Sequence, residues 1–282
     1  QYHRPSLVLS LCGRLSLTVD ALLVGMFLGP AAVAMFAVTC RLFEVAQSQL
    51  QNVSSASWAG FANLYAAGQH QEFNHRLIEV TRLVLILSGV FLVPLVGYSE
   101  SFVQLWVGSH QFAGQWFVLT CAVNVTLLAL FTTWSMLLRG IGRIECLVPV
   151  YVTQTAINVA MSVVLVRWLG LLGPVLGTAV GFCSVTVWWL PQVLKRELRL
   201  SRNSLAYAVA GPSVLMSVSV VVVRLVAVKY PPANWLAWFG STATFSLVFL
   251  LAAWWLCLAT HERRLWGLRF QTWCGAKRSV VA

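Results

Sequence analysis

QWFVLTCAVNVTLLALFTTWSMLL, residues Gln115–Leu138, carries no charged side chain. At about 1.5 Å of rise per helical residue it covers the ~30 Å apolar core of a bilayer. Uncharged stretches of similar character occupy Leu83–Ser99, Cys146–Val166, Trp168–Leu194, Asn203–Val223 and Tyr230–Thr260, the first only just long enough. Two less clean spans precede them, near Leu7–Leu28 and Ala31–Phe61. The stretches lack the alternation of a membrane β-barrel. They predict an all-α polytopic membrane protein with eight transmembrane helices, arranged as one six-helix bundle plus two extra helices.

Composition agrees. The 282 residues are 59% hydrophobic and 10% charged, with a mean hydropathy of +0.79, whereas a soluble domain is about 25% charged. A net charge of +11 on a soluble protein would point to nucleic acid. Here the placement of the charges gives another reason. With the N-terminus in the cytoplasm and eight crossings, Arg4, Arg76, Arg82, Arg139, Arg143, the Lys195–Arg202 segment and the tail after Thr260 all fall inside. Only Arg167, Arg224 and Lys229 fall outside, as the positive-inside rule favours. Basic inner loops face anionic lipids, so no nucleic-acid partner is needed.

Short outer turns at Gly29-Pro30, Gly170–Gly173 and Lys229–Asn234 predict four hairpins of adjacent antiparallel helices. Ala66–Leu77 and Leu138–Glu145 read as polar inner connectors, and Glu100–Gly114 as the longest outer segment. Trp106, Trp116, Trp168, Trp235 and Trp238 suit an interfacial belt. The division expected is residues 1–194 as the bundle, 195–204 as a basic linker, 205–260 as the extra pair and 261–282 as a basic cytoplasmic tail. Gly173, Gly177 and Gly181 form a row for close helix packing, or alternatively a hinge. The cysteines show neither C-x-x-C pairs nor a companion histidine cluster, so neither a disulfide framework nor a metal site is expected. No cofactor motif is present. The chain opens QYHRP without an initiating Met, which reads as a fragment.

Charge inside the spans is confined to Arg14, Asp20, Arg41 and Glu44. On insertion scales an Arg or Asp at a helix centre costs roughly 2.5–3.5 kcal/mol, so these residues need partners, water or a bound anion. Steps of about 100° per residue bring Glu44, Ser48, Gln51, Asn52 and Ser55 to within roughly 80° of Arg41. That polar stripe must face protein or a water-filled cavity. Arg14 shares a face with Thr18, Ala21 and Gly25, while Asp20 points toward the side of Ser16. Asn124 and the four-spaced Gln154, Asn158 and Ser162 add further polar groups. A purely structural reading stands beside this: Arg41 and Glu44 neutralise each other between packed helices, and Arg14 snorkels to the head groups. No H-E-x-x-H, nucleophile elbow or P-loop occurs.

VDALLVGMFLGPAAVAMFAVTCRLFEV (Val19–Val45), ESFVQLWVGSHQF (Glu100–Phe112), LLRGIGRIE (Leu137–Glu145) and LVRWLGLLGPVLGTAVG (Leu165–Gly181) resemble, in order, segments of polysaccharide exporters. These are O-antigen-type flippases of the multidrug/oligosaccharidyl-lipid/polysaccharide superfamily. The resemblance covers roughly Ser10–Leu194. It implies two six-helix bundles around a central cavity, of which this chain would be the second, plus the extra pair, with the N-terminal bundle missing. It further implies that Arg41 and Arg14, with Ser48, Gln51 and Asn52, meet the diphosphate of a polyprenyl-linked oligosaccharide. Asp20 or Glu44 would serve ion coupling or ion pairing. The expected function is flipping of that lipid-linked oligosaccharide across the bacterial inner membrane for surface polysaccharide synthesis. Alternatives are a cation-coupled multidrug or solute antiporter of the same superfamily and a membrane-embedded polysaccharide-assembly enzyme. The enzyme reading is disfavoured by the lack of a large catalytic loop.

Overall fold

The computed structural model describes residues 3–198, 202–258 and Arg263. All regular structure among them is helical: α1 His3–Leu28, α2 Pro30–Ala66, α3 His70–Trp106, α4 Gln115–Gly140, α5 Val148–Leu169, α6 Leu172–Gly181, α7 Val187–Leu198, α8 Arg202–Lys229 and α9 Trp235–Leu256. A π-helical turn, Phe182–Thr186, joins α6 to α7 so that the two form one span. Among the described residues, eight helices are long and apolar enough to cross a membrane. The turn between α1 and α2 is a single residue. Gly29 takes φ 85°, and Pro30 follows at the first helical position, where its missing N–H costs nothing.

The connectors are shorter than the sequence implies. Polar residues 70–77, expected in a loop, form the first turns of α3, because Arg76 bridges Glu72 and Glu79 along the helix at 2.7 and 2.8 Å. The outer segment expected from Glu100 to Gly114 is helical as far as Trp106. The basic linker is likewise helical through Leu198 and again from Arg202, and residues 199–201 lie outside the described residues. So does the expected basic tail, Arg263 apart. The cysteines at 12, 40, 121, 146, 183 and 257 are free thiols.

Helices α1, α5, α6, α4 and α2 pack side by side in a ring, with partly open cavities between them. The closest pair is α5 with α6, and the glycine row explains it. A Cβ on Gly173 would strike the backbone of Leu165 and Val166. One on Gly177 would strike Ser162, and one on Gly181 would lie 3.1 Å from both Asn158 Cβ and the Gln154 carbonyl. The row is therefore a packing seam.

Helix α3 stands outside the ring against α2 and α4 and is the seat of both α8 and α9. Those two helices touch each other little, so the last expected hairpin is a pair joined mainly through α3. Gly89 and Gly97 make the seats. The Phe249 ring fills the space at Gly89, and Val223 fills that at Gly97. Pro94 supplies no N–H to the carbonyl of Val90, four residues earlier, and Ser246 of α9 donates to that oxygen instead at 2.9 Å. Trp238, expected at the interface, is 7% exposed and donates its indole N–H to the Tyr98 carbonyl at 3.1 Å. Trp106, Trp116, Trp168 and Trp235 are exposed as a belt would require.

Candidate functional site

Asp20 sits near the middle of α1, where an unpartnered carboxylate would be costly. Ser162 of α5 and Thr178 of α6 donate to its two oxygens at 3.3 and 2.9 Å. Asn158 donates its amide N–H to Thr178 at 3.1 Å, and its carbonyl and that of Pro174, each at 3.2 Å, are alternative acceptors for the single Ser162 hydroxyl proton. The polar residues of α5 thus form a buried ladder, pressed against the glycine seam of α6 and capped by a carboxylate from α1. Hydroxyls, not a guanidinium, hold Asp20. A carboxylate held by hydroxyls alone can exchange a proton or a small hard cation, which takes oxygen ligands. Among the described residues no group of three or more His, Cys, Asp or Glu side chains is placed to hold a metal ion.

The face of α2 expected as one stripe divides into two. Glu44, its side chain 55% exposed, lines with Asp20, Ser16, Gln47, Asn124 and Thr178 a partly open cavity of about 140 Å³. Asn124 spans that cavity's wall by donating to the Val175 carbonyl at 2.8 Å. Gln51 lines a second cavity of about 340 Å³ with Arg14, Arg139 and Gln154. The two cavities share Ser16, Gln47, Leu128, Thr178 and Phe182, so they adjoin as one stepped, partly open space. Phe182 opens the π-helical turn, the kind of local widening that recurs at functional positions.

Ser48, Asn52 and Ser55 are exposed on the outside of the ring, where Ser48 and Ser55 donate to the Val45 and Gln51 carbonyls of their own helix. Arg41 is 71% exposed at its side chain and pairs with Glu44 at 2.8 Å across the ridge between the two faces. It also lines an apolar cleft of about 420 Å³ between α2, α3 and α9, whose walls include Leu42, Phe91, Pro94, Phe102 and Trp106. Arg41 therefore stands where an exposed polar ridge meets an apolar cleft, while Arg14 and Gln51 face the interior. Glu44 joins the two settings.

Sequence reasoning missed Thr178, Gln47 and Arg139. Thr178 is a lone hydroxyl in an apolar helix. Gln47 falls about 120° from Arg41 on a helical wheel, outside the stripe. Arg139 reads as a loop charge, although its guanidinium reaches the bundle interior.

No protein-family model matches the chain, and no curated protein matches it in sequence. Among solved structures it is similar to the lipid II flippase MurJ in an inward closed conformation, with a TM-score of 0.65 and 12% sequence identity. The match covers 87% of this chain and 52% of that one. The chain thus spans about half the length of that flippase and shares the fold of that half.

Proposed function

We propose that this chain forms one half of a transporter that flips a polyprenyl-diphosphate-linked oligosaccharide across a bacterial inner membrane, for surface polysaccharide synthesis. A second six-helix bundle completes its cavity, and access alternates as the bundles rock about the site. The observation that carries this reading is the position of Arg41. A lipid-linked sugar has a diphosphate between an apolar chain and a polar head. Arg41 sits at a matching junction, with an apolar cleft on one side and exposed Ser48 and Asn52 on the other. A guanidinium keeps its charge at such a boundary and grips phosphate oxygens with two parallel donors. The fold shared with a lipid II flippase supports the same assignment.

In this reading Arg41 takes the diphosphate and Ser48 and Asn52 take the first sugars. Asp20 is the coupling group, and Glu44 holds Arg41 until substrate replaces it. The ends of the chain lie on the cytoplasmic side with the basic turns. The test is Arg41→Ala in cells that depend on the transporter. Surface polysaccharide is expected to disappear while the protein still inserts at normal levels. Unchanged polysaccharide would remove Arg41 from the site.

A second reading, a cation-coupled drug or solute antiporter, is favoured by one observation: the Asp20 carboxylate is held by hydroxyls rather than by arginine. Cation-driven efflux of a fluorescent dye from proteoliposomes, without movement of a lipid-linked sugar, would select it.

A further inference from the structure

A cleft of about 290 Å³ lies between α4, α7 and α8. Its walls include Phe131 and Trp134 of α4, Trp188 and Pro191 of α7, and Leu205 and Val209 of α8, and no charged side chain lines it. Phe131, 3% exposed, is the one lining residue it shares with the cavities of the ring. The Trp134 ring is fixed, because its indole N–H donates to Thr81 at 3.0 Å. Trp188 is exposed at the mouth. The one hydroxyl in the lining belongs to Thr186.

Thr186 is 4% exposed, and its Oγ1 is buried without a partner. Thr120, Thr126, Thr133 and Thr244 donate to the carbonyl four residues earlier in their own helices, at 2.7–2.9 Å. For Thr186 that carbonyl belongs to Phe182, at the other end of the π-helical turn, where it accepts from the Val187 N–H five residues on. The wider turn thus leaves the Thr186 hydroxyl unanswered, although buried donors are otherwise almost always paired. On the same wall Pro191 supplies no N–H to the Val187 carbonyl, four residues earlier. A donor and an acceptor therefore sit on consecutive residues beside an otherwise apolar cleft. Thr186 is also deep. It lies fourteen residues from one end of its span, Leu172–Leu198, and twelve from the other, or about 18 Å from the nearer end.

We propose that this cleft binds a neutral lipid whose polar end is a ring hydroxyl, of the phenol or quinol class. The hydroxyl accepts from Thr186 and donates to the Val187 carbonyl, and the flat ring lies among Phe131, Trp134 and Trp188. A charged head group at that depth would need a counter-charge, and the lining holds none. The ester carbonyls of a phospholipid accept but do not donate, and the head group keeps them near the edge of the ~30 Å apolar core, away from Thr186. A bare acyl chain answers neither polar group. A single water answers both but fills about 30 Å³ and leaves the aromatic walls unpacked. The site is separate from the polar space of the ring, and it stands whether or not the transport reading is correct.

The experiment uses the full chain in nanodiscs of zwitterionic lipid and follows thermal unfolding by circular dichroism. The probe is 4-dodecylphenol, titrated as a fraction of the disc lipid, with dodecylbenzene as the control that keeps ring and tail but lacks the hydroxyl. The phenol is expected to raise the unfolding temperature more than the control, by the mass action of a ligand that binds the folded state. Thr186→Val, which keeps the shape and removes the hydroxyl, is expected to weaken phenol binding about three- to tenfold, the loss of one neutral hydrogen bond, and to leave dodecylbenzene unaffected. Without ligand the same variant is expected to unfold at or above the wild-type temperature, because it deletes an unanswered group. A lower temperature would mean that the hydroxyl already has a partner in the protein, and would overturn the proposal. Ala206→Phe, at an exposed position in the lining, fills the cleft and is expected to abolish the phenol effect. Equal stabilisation by phenol and dodecylbenzene, or a phenol effect unchanged in both variants, also overturns it.

Discussion

Thr178 on α6 donates its hydroxyl to the Asp20 carboxylate on α1 at 2.9 Å, joining helices across a sequence separation of 158 residues. The bond is the shortest in a cluster that also draws in Ser162 and Asn158 from α5. Replacing Asp20 with Asn keeps one acceptor and the volume while removing the charge. The expected outcome is a folded protein whose substrate movement in proteoliposomes no longer responds to an imposed sodium or proton gradient. Asp20→Leu, which leaves the Thr178 hydroxyl without its acceptor while Ser162 can still donate to Asn158 or the Pro174 carbonyl, is expected to lower stability by about 1–3 kcal/mol as well. A gradient response retained in Asp20→Asn would take the coupling role away from this carboxylate.

The Arg41–Glu44 pair adds little to stability, because exposed ion pairs contribute roughly 0–1 kcal/mol. Glu44→Gln is expected to leave the unfolding temperature within about a degree or two of wild type. If Glu44 competes with a diphosphate for Arg41, the same change tightens binding of a lipid diphosphate. Affinity measured on vesicles carrying polyprenyl diphosphate checks this.

The seam between α5 and α6 depends on the absence of side chains. Gly177→Ala puts a methyl group against the Ser162 backbone and is expected to cost about 1–3 kcal/mol as the helices separate. Gly13→Ala, on α1 with nothing near its Cβ position, is the control and is expected to be neutral or slightly stabilising. Paired melting curves of the two variants decide.

Ser246 and Pro94 form a coupled pair across α9 and α3. Ser246→Ala orphans the Val90 carbonyl and is expected to cost about 1–3 kcal/mol. In a Pro94→Ala background the backbone N–H at position 94 can accept that duty within the helix, so the cost of losing Ser246 is expected to shrink. Additive effects in the double-mutant cycle would show that the serine acts elsewhere.

The spans were legible because uncharged length is a direct property of the sequence. Leu83–Ser99 alone is barely long enough to span, yet α3 runs for 37 residues, because Glu72, Arg76 and Glu79 support one another along its first turns. The polarity of α2 was legible too, but not its division into an inner and an outer face, which depends on where α1 and α4 dock. The Asp20 cluster was half legible. Four-spaced Gln154, Asn158 and Ser162 were visible as a ladder, whereas their meeting with Asp20 depends on the approach of α6. Trp238 was misplaced because tryptophan serves membrane interfaces and cores alike, and only the Tyr98 carbonyl opposite it separates the two.

Helix α3 has a consequence for how the protein is made. Its Gly89 and Gly97 notches and the Val90 carbonyl are completed only by α8 and α9. Arg224 and Ser246 reach α3 across separations of 127 and 156 residues. While the ribosome is still translating the intervening helices, α3 therefore enters the bilayer with its notches empty and a carbonyl unanswered. Lipid, water or the insertion machinery must occupy that face until the last two helices arrive. A stop codon placed before α8 would leave the nascent protein in that unfinished state, a direct target for membrane quality control.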